Sequence, residues 1–280
     1  MATGNTQQQD PLEMLGDLFS GDEDQDPNDP SAMTLVEHLE ELRWRIFKSL
    51  IAIAVFSTAA FFFHVQILDF LTRPLPANAN AIAALTHGNQ RLTVTGVGEG
   101  FTTYLLISIA AGFLVSLPVI LYQVWAFISP GLYAREKKHA VPFIVAGIVL
   151  FVAGLSLGYI VLQYPVYWLI NFASDNFSNL ITAGNYFTFI AYFLLAFGIV
   201  FEIPLVLTFL SLIGMITADT LTRKRAVAHV GMWIAATVIT PGADLYSPIF
   251  LGVSMSCLYE LSIIFIKITA RMRAREEAAR

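Results

Sequence analysis

Four acidic residues stand where their type and setting could do chemistry. Glu202 lies in the middle of the apolar run FGIVFEIPLVL. A carboxylate at membrane depth is expensive, so it is functional by default or neutralised by a proton. Pro204 follows it and withdraws an N–H from the helix, freeing the carbonyl of Val200 to accept a bond. Glu260, in SCLYELSI, is closer to Lys267 and reads equally as helix packing with local pairing. Glu41 and Glu136 each stand among bases. Taken singly, each reads as a surface ion pair. In a partly desolvated place, either could instead accept the forked hydrogen bonds of a ligand's guanidinium group.

Other strings suggest enzymes and do not carry them. Gly154-Leu-Ser156-Leu-Gly158 matches the hydrolase nucleophile pattern, but it sits inside an apolar helix with no His or Asp at that depth. The two glycines, four residues apart, read better as a close helix-packing face. Gly96-Val-Gly98-Glu-Gly100 lacks the preceding strand and acidic follow-up of a dinucleotide site, and reads as a flexible entry to a span. The histidines, at 38, 64, 87, 139 and 229, have no metal-ligand spacing. No cofactor, metal, nucleic acid or catalytic residue is expected, and any energy must come from outside the chain.

The elements that position these acids are spans. With 56% hydrophobic and 13% charged residues over 280, the composition is that of a membrane protein. Residues 34–45 read as an amphipathic helix start, with Thr34 as cap and Glu37 at the capping-box position. Apolar runs follow at 46–63, 101–121, 141–162, 187–212, 226–239 and 249–266. Lacking period-two alternation, they predict six helices rather than a barrel. A polar connection is expected over 64–98 and an aromatic loop over 164–186. Pro118 is expected to interrupt its helix and Pro130-Gly131 to turn the chain beyond it. Tyr122, Trp125, Phe127 and Tyr133 are of the type that settles at a membrane boundary. The fifth run, about 21 Å long against an apolar core of about 30 Å, predicts a short final pair of helices in a locally thinned bilayer.

Charge sets the orientation. Fourteen of the sixteen Lys and Arg fall on one side of the predicted spans, leaving only Arg73 and Arg91 on the other. Both termini are therefore expected in the cytoplasm. The net charge of −5 comes from residues 1–30, which hold eight acids and no base. The organisation expected is an acidic disordered tail over 1–32, a six-helix membrane domain over 33–267, and a basic cytoplasmic tail over 268–280. The single cysteine, Cys257, excludes an internal disulfide.

Three stretches, PVILYQVWAFISPGLYAREKKH, HLEELRWRI and FGIVFEIP, resemble the TatC family in order and spacing, the likeness running from about Thr34 to Lys267. That family is the signal-peptide receptor and core membrane subunit of twin-arginine protein export. The resemblance implies an all-α polytopic fold with a concave receptor face, in the inner membrane of a prokaryote. It implies that Glu41 and Glu136 bind the twin arginines of folded cargo, with Phe127 and Arg43 in the same site. It implies that Glu202, with Glu260 as a weaker candidate, meets single-span TatA/TatB-type subunits, and that transport is driven by the proton-motive force in a larger, self-associated complex. Pro241 and Asp244 fall in the outer loop, where TPGAD has one residue more than the commonest TPPD form. Leu106 stands where many relatives have a base. The competing reading is a proton-coupled secondary transporter using Glu202; the lack of an inverted repeat and the single mid-span carboxylate argue against it.

Overall fold

The computed structural model describes residues 35–74, 92–128, 140–172, 181–242 and 244–278. The acidic tail and the Pro130-Gly131 turn lie outside the described residues. The chain divides into two units, residues 1–44 and 45–280. The described residues are helical apart from connecting turns and an isolated parallel bridge between Thr93 and Thr182.

The helices are Leu35–Phe62 (α1), His64–Thr72 (α2), Glu99–Ile128 (α3), Ala140–Val161 (α4), Gln163–Asn171 (α5), Ala183–Val200 (α6), Ile203–Leu212 (α7), Ala218–Arg223 (α8), Arg225–Ile239 (α9) and Tyr246–Ala278 (α10). Five stretches are long and apolar enough to cross a membrane: Val36–Phe62, Glu99–Phe127, Val141–Asn171, Ala183–Leu212 and Tyr246–Met272. The sixth expected span, α9, is apolar but has only 15 residues, about 22 Å of helix. Its partner is not short. The last helix runs for 33 residues, so the expectation of a short final pair holds for α9 alone.

Three further readings change. Pro118 lies inside α3 without ending it; the missing N–H leaves one helical bond unmade while the helix continues. The aromatic stretch after α4 begins as another helix, α5, with Pro165, Val166 and Ile170 buried. The polar connection after α1 begins with α2, pinned by two tyrosines from elsewhere in the second unit. Tyr159 donates to the carbonyl of Phe70 at 2.8 Å and Tyr186 to that of Leu71 at 3.1 Å. Those carbonyls belong to the last turn of α2, which has no intrahelical donors of its own.

The core of the second unit lies where α3 and α4 meet α6. Phe193, Phe197, Ile190, Leu162, Ile107 and Phe151 are fully buried there. Small residues let the helices approach. A Cβ on Gly154 would stand 2.7 Å from the carbonyl oxygen of Phe197, and one on Gly158 2.9 Å from the Phe197 Cβ. The glycine pair is thus a packing face, as its spacing suggested. The Ser156 hydroxyl between them donates to the Val152 carbonyl of its own helix at 2.7 Å.

Candidate functional site

The fourth apolar run is broken where its acid lies. α6 ends at Val200 and α7 starts at Ile203, with Pro204 in its first turn, where a missing N–H is not needed. Phe201 and Glu202 lie between. The Glu202 N–H donates to the Ile199 carbonyl at 3.0 Å, while its own carbonyl accepts from Val206 at 3.0 Å. The backbone is satisfied, but the side chain makes no capping bond. It points instead at α4, where a Cβ on Gly147 would stand 3.3 Å from Oε2, with Leu121 and Leu205 closing on the same place. Both carboxyl oxygens are buried without a hydrogen-bond partner among the described residues. Chemically, the group can hold a proton or accept bonds from a donor that the described residues do not supply.

Glu260 has the opposite setting. Arg225 Nε lies 2.8 Å and His229 Nε2 3.0 Å from its Oε1, so the N-terminal end of α9 supplies both partners. Sequence reasoning missed these two residues. The signal was present in their four-residue spacing, which puts them on one helix face. Asp244 is buried and accepts from both the N–H and the hydroxyl of Ser247, each at 2.6 Å. It thereby closes the first turn of α10, and Pro241 beside it is exposed. Asp244→Ala should lower stability by about 0.5–2 kcal/mol, the usual loss for a helix cap. Asp244→Asn should be milder, since an amide oxygen still accepts from Ser247; thermal unfolding of the two purified variants would check the order.

At the start of α1, in the first unit, Glu41 is mostly buried and faces His38, whose Nδ1 lies 3.9 Å from Oε2; Arg43 is exposed. Phe127 is half-buried near the end of α3. Trp125, two residues before it, is buried rather than interfacial, with its ring 4.8 Å from Phe143 and 6.3 Å from Phe209. Glu136 lies outside the described residues. Among the described residues no three His, Cys, Asp or Glu side chains gather as metal ligands.

Glu99 is a structural acid that the sequence reading passed over. Its carboxylate accepts from the Thr95 N–H at 2.6 Å, the Thr95 hydroxyl at 2.8 Å and the Gly96 N–H at 3.2 Å, and from Gly184 on α6 at 3.0 Å. The glycine-rich entry to α3 is therefore tied down, not loose. Thr95 and Glu99, four residues apart, were its signal.

A family model described as Sec-independent protein translocase protein (TatC) matches residues 37–253. The chain belongs to the TatC family. A TatC of Desulforapulum autotrophicum is 37% identical over 242 residues, covering 86% of this chain and 87% of that one. A TatC of Koribacter versatilis is 37% identical over 250 residues, covering 88% and 90%. The crystal structure of a twin arginine translocase receptor, TatC, superposes with a TM-score of 0.69 at 32% identity, over 84% of this chain and all of that one. Membership makes the chain a multi-pass membrane component of the twin-arginine translocase and not an enzyme. The helical fold with its apolar spans agrees with that of the TatC structures.

Proposed function

We propose that this chain is the subunit that receives twin-arginine signal peptides of folded precursors and organises single-span TatA/TatB-type subunits around itself. The likeness to a solved twin arginine translocase receptor over 84% of the chain carries this reading. In it, Glu41 and Glu136 accept the forked guanidinium bonds of the signal, and Phe127 and Arg43 are further candidates for contact with it. The membrane is the inner membrane of a prokaryote, with both chain termini in the cytoplasm, a reading supported by the distribution of Lys and Arg. Glu202 receives a polar group of a partner helix. Support for that comes from its two buried oxygens, which have no donor among the described residues and lie in a segment where an ionisable group is otherwise expensive. Glu260, already paired within the chain, has a secondary part. The complex assembles several copies and takes its driving force from the proton-motive force.

A photo-crosslinking residue in place of Phe127 tests the receptor reading. It should capture a precursor whose signal carries paired arginines and lose most of that yield when the pair is changed to lysines. Equal yields from the two precursors would remove Phe127 and its neighbours from the site.

A further inference from the structure

Arg225 and His229 stand one turn apart on α9, and both reach the same oxygen of Glu260 on α10. A carboxylate paired with arginine is acceptor only, so the imidazole Nε2 must carry a hydrogen. No bond to Nδ1 is present among the described residues, which leaves that nitrogen to take up a second proton. The imidazole is about 29% exposed, so water can deliver the proton. Tyr259 of α10 sets its ring edge-on to the imidazole at 5.6 Å, while its hydroxyl donates to the Leu221 carbonyl. Of the neighbouring elements, α8 brings Asp219 and Arg223, neither in an ion pair with the cluster among the described residues, and α7 brings no titratable side chain. Lys224, just before Arg225, is exposed.

The charge balance is simple. With a neutral imidazole, Arg225 and Glu260 cancel. A proton from water on Nδ1 brings the cluster to one net positive charge, and Glu260 then faces two cations, both carried by α9. Arg225 opens α9, the end of a helix at which positive charge is disfavoured, and His229 follows one turn on. Their counter-charge comes from α10 alone. α9 itself is short and exposes Val227, Val230, Ile234 and Val238, so its packing falls on one face, chiefly against α10.

We propose that His229 is a proton-binding site, and that a proton there tightens the hold of α10 on the N-terminal end of α9. The site is independent of signal-peptide recognition and stands or fails without it. Spin labels introduced by V227C and L261C, in a full-length C257S background in lipid nanodiscs, report the separation of the two helices at exposed positions. Their distance distribution should be narrower at about pH 5.5 than at about pH 8, on either side of the range in which imidazole changes charge. H229Q, which keeps a neutral donor, should lose the pH difference and stay broad. H229K, a fixed cation, should be narrow at both pH values. A distribution in the parent protein that does not change with pH would overturn the proposal without any cluster variant. So would an unchanged pH difference in H229Q.

Discussion

A valine at position 154 should leave little chain that elutes as a single species from detergent. Its Cβ would meet the carbonyl oxygen of Phe197 at 2.7 Å and the ring of Phe201 at 2.7 Å. The first of these is backbone in the last turn of α6, so it cannot swing aside as a flexible side chain would. Overpacking costs about 1–3 kcal/mol where the core can yield, and more where it cannot. Here α4 would have to lift from α6 along its length, loosening Phe193, Phe197 and Phe151 together. Gly231→Ala is the contrast. It lies within α9 with nothing within 4 Å of the added carbon, so alanine should be neutral or stabilise by up to about 1 kcal/mol. Retention volume and thermal unfolding of both variants read the difference. Equal behaviour of the two would mean that α4 and α6 are not packed through Gly154.

The second large effect separates two acids. Glu136→Ala should weaken binding of a twin-arginine peptide about ten- to a hundredfold, because a charge-assisted bond is worth about 1.5–3 kcal/mol. Glu202→Ala should leave that binding nearly unchanged and reduce crosslinking to the single-span subunits. Its carboxylate lies inside the membrane segment against Gly147, remote in kind from a water-facing docking site. Glu202→Gln should be milder, since the amide keeps the shape and the ability to accept a bond. Peptide binding lost in Glu202→Ala and kept in Glu136→Ala would reverse the assignment.

The span order was legible because a bilayer leaves an apolar run few conformations: the runs at 101–121, 141–162 and 187–212 each fall within helix or nearly continuous helix. The small-residue face at Gly154 and Gly158 was legible for the same reason, since four-residue spacing has one geometric meaning on a helix. Glu202 could be placed at depth by its apolar neighbours. Its lack of a donor among the described residues could not, because that depends on Gly147 and Leu121 from other helices. Pro118 misled because proline removes one bond, and one bond does not end a helix that its neighbours hold in place. The Arg225–His229–Glu260 cluster joins residues more than thirty positions apart, and charge counting had assigned Arg225 only to a side of the membrane. The last helix was read as 18 residues because charged positions beyond Ile266 look like an end, whereas a helix leaving the bilayer can continue in water as far as Ala278.

The receptor assignment meets its most direct test in one titration. The purified chain, in nanodiscs and without partner subunits, is titrated with a fluorescent signal peptide carrying two adjacent arginines, and then with the same peptide carrying two lysines. Carboxylates that accept forked bonds distinguish guanidinium from ammonium at equal charge. The arginine peptide should bind about tenfold tighter or more, a difference of about 1.4 kcal/mol. Equal affinities for the two peptides would contradict the account.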